Sequence, residues 1–245
     1  MKEEVKNIPV VILAGGNGTR VGTGNLIPKP MAEINHIPLI QYIMDYFSGF
    51  GFRKFVIAMG NYSESISSYF NADYKAQYAE KYGWEIENLP TGINDNTGSR
   101  IYQLSHLLKK YPFFILTYGD VIADVNLNEL IEFHLAHGKM ATVTAVHYPT
   151  RFRILGLYGS NDEVRGFADK PVLQKDFING GFYILNNEVL QMKSLTQDPA
   201  CSFERHVLEE LVSMRELIAY RHEGYWQSLD TERDLEGIKQ FLLKK

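Results

Sequence analysis

One cysteine, Cys201, is all that the chain of 245 residues carries. A lone thiol excludes an internal disulfide framework and a zinc site built on cysteines. Positive charge is also short: 25 Lys and Arg face 29 Asp and Glu, for a net charge of -4. No broad basic field is left to hold a polyanion, so nucleic acid is not an expected partner. A small phosphorylated molecule could still sit in a local positive pocket. Long apolar runs are missing too, since no stretch approaches the roughly 18 consecutive apolar residues of a membrane span. The start, Met1-Lys2-Glu3-Glu4, lacks the basic lead, long apolar stretch and cleavage site of a signal peptide. The expectation is a cytoplasmic protein with no membrane partner.

What is present suits an ordinary globular domain with a sizeable core, at 45% hydrophobic and 22% charged residues. Aliphatic and β-branched runs at 10–14, 54–59, 84–89, 113–118 and 142–146 read as strands. Helical spacing over 39–50, 99–110 and 127–136 falls between them, with a further helix expected from a capping box at 61–64 to about residue 70. A polar, tyrosine-rich stretch fills 71–83, where tyrosines one turn apart suggest a packed helix face or a subunit interface. Strand–helix alternation over the first 146 residues predicts a Rossmann-like α/β fold, a mostly parallel mixed sheet with helices on both faces. From residue 154 the texture changes to short strands at 154–158, 164–168 and 177–185, a small β annex. A helix capped by Ser202 to about 214, a strand at 217–222 and a helix at 231–243 follow. The expected organisation is one domain, 1–245, with a first half of 1–146 and a second of 147–245.

The clearest site signal is Leu13-Ala14-Gly15-Gly16-Asn17-Gly18-Thr19-Arg20, directly after the first strand. Glycines let backbone N–H groups approach phosphate oxygens, and Arg20 adds a planar fork of fixed charge. Lys29, between Pro28 and Pro30, offers a second cation on a stiff segment. A dinucleotide-binding fingerprint fits worse, because Val21 stands at its third glycine position and Met59-Gly60 ends the second strand without an acid. A Walker A loop would need Gly-Lys-Ser/Thr, which is absent. Two aspartates are candidate ligands for Mg²⁺, a hard cation held by one or two carboxylates plus phosphate oxygens. Asp120 follows a buried strand, and Asp230 precedes the last helix, where a helix cap is the reading its position alone favours. Asp124 reads as a solvated turn carboxylate, and His134 with His137 as a half-exposed helical pair lacking a third metal ligand.

Taken together these motifs resemble the sugar-nucleotidyltransferase family, and most closely its glucose-1-phosphate cytidylyltransferases. The likeness runs from Val10 to about Asp234. It includes Lys29-Pro30-Met31, Thr97-Gly98-Ser99-Arg100, Thr117-Tyr118-Gly119-Asp120, Lys170-Pro171, Ile178-Asn179-Gly180-Gly181-Phe182 and Leu229-Asp230-Thr231. The resemblance implies a GT-A-like nucleotidyltransferase fold and Mg²⁺ as cofactor. It implies CTP as donor and a phosphorylated small-molecule acceptor, glucose 1-phosphate first, with pyrophosphate released. By carry-over, Arg20, Lys29 and Lys170 are catalytic. Leu13, Ala14, Gly15, Gly16, Gly18, Thr19, Thr97, Gly98 and Arg100 bind the nucleotide. Arg151, Arg153, Asp169, Lys170, Asn179 and Gly180 face the acceptor, and Asp120 and Asp230 hold the metal. A homo-oligomer is left open, because the segment between Phe70 and Thr97 is shorter than in the glucose-1-phosphate enzymes.

The acceptor side departs from the family pattern. The usual Glu-Lys-Pro is Asp169-Lys170-Pro171, Arg-Phe-Gly is Arg151-Phe152-Arg153, and Tyr-Gly-Asp-Gly is Tyr118-Gly119-Asp120-Val121. A shorter carboxylate and an added arginine, able to pair with a carboxylate, open the alternative of a non-sugar acceptor such as phosphoglutamine or phosphocholine. Two further functions compete: a metal-dependent glycosyltransferase, which would not release pyrophosphate, and a non-catalytic nucleotide-sugar sensor, which would not need both aspartates.

Overall fold

The computed structural model describes residues 5–16, 28–148, 154–158, 163–168 and 177–244, with backbone alone for 154–158 and 163–168. In chain order it runs β1 (Pro9–Ala14), a 3-10 turn (Lys29–Met31), β2 (Glu33–Ile34), β3 (Ile37–Pro38), α1 (Leu39–Gly49), β4 (Lys54–Met59), α2 (Ser63–Tyr69), α3 (Ala72–Tyr82), β5 (Glu85–Pro90) and α4 (Thr97–Leu108). Then come β6 (Phe113–Tyr118), β7 (Val121–Ala123), α5 (Leu127–His137), β8 (Ala141–Val146), β9 (Ile154–Tyr158), β10 (Glu163–Ala168) and β11 (Ile178–Asn186). A π-helical turn (Phe203–Val207), α6 (Leu208–Met214), β12 (Leu217–His222), β13 (Trp226–Ser228) and α7 (Glu232–Leu242) complete it. Among the described residues no helix is long and apolar enough to cross a membrane.

Seven strands form the central sheet in the order β12-β8-β11-β6-β1-β4-β5. β4 and β6 both lie parallel to β1, and β5 is parallel to β4. β11 runs antiparallel to β6 and β8, and β12 is parallel to β8, so the sheet is mixed and mostly parallel as the alternation predicts. Alternate residues of β1 serve opposite faces. Val10, Ile12 and Ala14 join α1 residues such as Ile43 and Phe47 in one core, while Val11 and Leu13 join Ile101, Leu104 and Leu108 of α4 in the other. Each fully buried aliphatic or aromatic side chain contributes roughly 1.5–3 kcal/mol through its removal from water.

Two local expectations are corrected, and a third is made definite. β11 belongs to the central sheet, not to the annex: Phe182 and Ile184 fill one core and Tyr183 and Leu185 the other, so both its faces need cover. The annex is the antiparallel pair β9–β10. The 71–83 stretch contains the helix α3, opened by the Asn71 side chain, which accepts from the Tyr74 N–H at 2.9 Å, and closed by Gly83 at φ 69°. α2 is not capped by Asn61; Tyr62, left-handed at φ 62°, precedes it without a side-chain cap.

Candidate active site

The chain leaves β1 for β4 and β5 on one side, then returns to lay β6 on the other. The crevice beyond the carboxyl ends of β1 and β6 is therefore the topological switch point, where open α/β sheets bind ligands. A cavity of about 400 Å³ lies there, within the roughly 300–1,000 Å³ of small-molecule sites. Leu13, Ala14, Gly15, Gly16, Lys29, Thr97, Arg100 and Asp120, all candidates from the sequence, line it. So do Pro30, Asp95, Asn96 and Tyr118.

Arg100 is only 3% exposed and reaches the strand ends at the edge of the cavity. Its guanidinium donates to Met59 O at 3.1 Å, Thr91 Oγ1 at 2.8 Å, Gly92 O at 2.8 Å and Gly15 O at 3.1 Å. One side chain thus ties the ends of β1, β4 and β5 together. It fits because Gly15 has no Cβ: one built there would lie 2.2 Å from the Arg100 Cζ. At Gly16 no atom of the described residues lies within 4 Å of the same position. Burial pulls the guanidinium pKa down, opposed by the nearby Asp95 carboxylate, which itself accepts from Gln103 Nε2 at 2.8 Å.

Lys29 joins the two aspartates. Its ammonium donates to Asp120 Oδ2 at 2.9 Å and to Asp230 Oδ1 at 2.8 Å. Burial works against the charge, but the two carboxylates outweigh it and raise the lysine pKa. The aim of Lys29 is set by Pro30, which packs so tightly on Gly119 that a Cβ there would meet Pro30 Cγ at 2.8 Å. Asp230 arrives by way of a two-stranded ribbon: β13 pairs antiparallel with β7, and the Leu229 N–H donates to Asp120 O at 2.8 Å. The capping role is filled by Thr231, whose hydroxyl receives the Asp234 N–H while Asp234 answers in a capping box. Asp230 is therefore not the cap of α7 and instead pairs with Lys29, which lines the cavity.

Glu204, which the sequence reading did not single out, supports two cavity residues from behind. It sits on the π-helical turn and accepts from Thr97 Oγ1 at 2.7 Å, Ser202 Oγ at 2.8 Å and the Tyr118 hydroxyl. Burial alone would push its pKa up, but these hydroxyls outweigh burial and hold it below the usual carboxylate value. Tyr118 lies 3.3 Å from the Tyr183 hydroxyl, which accepts from Asn179 Nδ2. A hydrogen-bonded chain thus runs from β11 to the cavity wall. The N–H groups of Gly98 and Ser99 are taken by Cys201 O at 3.0 and 3.2 Å, so the start of α4 is tied to protein. Gly180 O accepts from Trp226 Nε1 at 2.7 Å. Gly18, Thr19, Arg20, Arg151, Arg153, Asp169 and Lys170 lie outside the described residues.

A family model described as nucleotidyl transferase matches residues 9–245. The chain belongs to the nucleotidyl transferase family. Relatives of this nucleotidyl transferase from Salmonella typhi and Salmonella typhimurium, both named glucose-1-phosphate cytidylyltransferase, are 36% identical over 248 residues, covering 93% of this chain and 94% of theirs. Mannose-1-phosphate guanyltransferase of Schizosaccharomyces pombe is 31% identical over 91% of this chain and 61% of its own length. Among solved structures, HddC from Yersinia pseudotuberculosis matches with a TM-score of 0.63 at 23% identity, covering 96% of this chain and 99% of that one. A Bacillus anthracis structure reaches 0.72 at 15% identity, over 96% and 94%. At such identities the likeness speaks to the fold alone.

Other polar residues of this nucleotidyl transferase have structural partners. His134 is buried, not half-exposed, with its ring nitrogens 2.8 Å from Thr142 Oγ1 and 2.9 Å from Asn186 Oδ1. Asp124 pairs with His222 at 3.1 Å and is not simply solvated. Cys201 is buried, its thiol 3.2 Å from Ser194 O. No group of three or more His, Cys, Asp or Glu among the described residues could hold a metal ion by itself.

Proposed function

We propose that this nucleotidyl transferase moves a cytidylyl group from CTP to a small phosphorylated acceptor, glucose 1-phosphate being the first candidate, and releases pyrophosphate. The observation that carries the reading is the meeting of Lys29, Asp120 and Asp230 at a switch-point cavity. The names of the 36% identical relatives supply the donor and the first acceptor.

An acceptor phosphate oxygen attacks the α-phosphorus in line. A new O–P bond forms, the bond to the bridging oxygen of the β-phosphate breaks, and that oxygen leaves with its electron pair on pyrophosphate. The nucleophile is already anionic at neutral pH, so no general base is needed, and catalysis reduces to alignment and charge neutralisation. The donor set suits Mg²⁺: two carboxylate oxygens already share one cation, and phosphate oxygens and water would complete a hard-ion shell. Held by Asp120 and Asp230, the ion would supply neutralisation of charge on the phosphates. Gly15 and Gly16 form the wall against which the phosphates align, and Arg100 fixes that wall. Arg20, Gly18 and Thr19 extend the same loop, while Lys170 with Arg151, Asp169, Asn179 and Gly180 serves the acceptor. Asp169 and Arg153 favour a second reading of the same chemistry, with a non-sugar phosphate as acceptor.

The test is pyrophosphate release with Mg²⁺ and each NTP against glucose 1-phosphate, phosphocholine and phosphoglutamine. Release with CTP and glucose 1-phosphate is expected. CTP with only a non-sugar phosphate would establish the second reading. No pyrophosphate from any pair would remove the proposed reaction and return a glycosyltransferase or sensor to the front.

A further inference from the structure

The Lys29 ammonium occupies the spot that two metal-binding carboxylates would give to a divalent ion. We propose that Lys29 is a built-in placeholder, holding the locus between Asp120 and Asp230 in the free enzyme and yielding it when a metal ion arrives together with the nucleotide. The inference rests on the reading of Asp120 and Asp230 as metal ligands.

Three observations carry it. First, a single nitrogen lies 2.9 Å from Asp120 Oδ2 and 2.8 Å from Asp230 Oδ1, so the ammonium and a metal ion compete for the same oxygens. Second, the lysine is able to leave. Its backbone is fixed in a 3-10 turn with Pro28 before it and Pro30 buried behind it. Its side chain is 22% exposed and lines the cavity, beside carboxylates 26% and 41% exposed. Only the flexible four-carbon stem has to move. Third, the metal shell is incomplete without substrate, because no third carboxylate, histidine or cysteine among the described residues joins the two aspartates. Mg²⁺ ordinarily completes such a shell with phosphate oxygens and water.

Charge makes the exchange cooperative. With Lys29 in place the trio carries a net charge of about -1 in place of the -2 of the carboxylates alone, which repels a metal-free triphosphate and attracts a bare cation less strongly. A metal–nucleotide complex changes both terms at once: the divalent ion neutralises the carboxylates, and the phosphates offer the displaced ammonium a new anion. Metal and nucleotide should then each strengthen binding of the other by the same factor, as linkage requires. Lys29 therefore serves two partners in sequence, the carboxylates before loading and the phosphates after it.

The decisive experiment is Mn²⁺ binding to the full chain, read by electron paramagnetic resonance of the free ion, with and without CTP and with no acceptor present. Wild type should bind Mn²⁺ weakly alone and much more tightly with CTP. Lys29→Met, which keeps length and removes charge, should bind Mn²⁺ without CTP about tenfold more tightly than wild type, the size expected from losing two partly exposed ion-pair competitors. Lys29→Ala should do the same, which guards against a packing effect of the thioether, and melting curves report whether each variant is folded. Adding Asp120→Asn to Lys29→Met should abolish the gain. If both Lys29 variants bind Mn²⁺ as weakly as wild type while CTP still recruits the ion in an Asp120-dependent way, the placeholder is wrong and the metal site stands. If Asp120→Asn leaves CTP-dependent Mn²⁺ binding intact, the metal assignment itself falls, and the placeholder with it.

Discussion

Gly15→Ala is the smallest change that should disturb the cavity wall. The new methyl would lie 2.2 Å from Arg100 Cζ, 2.4 Å from its Nε and 2.5 Å from its Nη1, far inside van der Waals contact. The end of an arginine usually swings aside at little cost. Here it is held on the far side by Met59 O, Thr91 Oγ1 and Gly92 O, so giving way means losing those bonds. Overpacking of a closed site costs about 1–3 kcal/mol. For a chain of this length that corresponds to a fall in melting temperature of about 2–12 °C. Gly16→Ala is the control: with no atom of the described residues near the added carbon, stability should stay within about 0.5 kcal/mol. That methyl faces the cavity, so Gly16→Ala should instead raise the KM for CTP. Thermal melting and pyrophosphate release separate the two effects. A third arm closes the cycle. On an Arg100→Ala background the collision is gone, and Gly15→Ala should cost markedly less than in wild type. A Gly15→Ala protein that melts with wild type, or a cost unchanged by Arg100→Ala, would refute the clamp.

Other consequences follow from the same geometry. Asp230→Asn should abolish turnover while leaving melting nearly unchanged, whereas Thr231→Ala should lose about 1 kcal/mol of stability through the cap and keep its turnover; equal effects of the two would refute the division of labour. Asp120→Asn should likewise stop pyrophosphate release without unfolding the protein, as near-ultraviolet circular dichroism would record. Glu204→Gln presents an amide N–H₂ to hydroxyl donors and should lose about 1–3 kcal/mol at neutral pH. Because the folded Glu204 pKa lies below its ordinary 4.5, its contribution is complete above that value and is lost as pH falls through the depressed one. Wild type and Glu204→Gln should therefore converge in stability on acidification, and a gap that persists at low pH would argue against the carboxylate as its source.

Much of the first half of the chain was legible because its signals are local. β1 is an unbroken aliphatic run followed by glycines, and β6 an apolar run followed by Asp120, so pattern and chemistry coincide. α3 was legible only in the one-turn spacing of its tyrosines, because none of its residues is buried; those tyrosines pack on one another, with Tyr74 and Tyr78 stacked at 4.1 Å. The cues that define it were the end caps Asn71 and Gly83, not hydrophobicity. β7 and β13 span three residues each, too short for any periodicity to register, yet they bring Asp230 to Asp120. Asp230 looked like a cap because Asp is a favoured cap; the competing Thr231–Asp234 box, equally local, decided otherwise. Glu204 carried no signal of its own, since an acid near a helix start is ordinary. Its role emerges only when Thr97 and Tyr118, 107 and 86 residues away in the chain, fold against it.

The ribbon that joins β7 to β13 also orders the birth of the site in time. A chain emerging from the ribosome folds from its N-terminal side first. By the time residue 120 has appeared, the glycine wall, Lys29 and Asp120 all exist, but the second carboxylate is still 110 residues away in the unmade chain. All seven strands of the central sheet are made before β13, so on the proposed reading the second carboxylate joins the first only after the whole sheet has been synthesised.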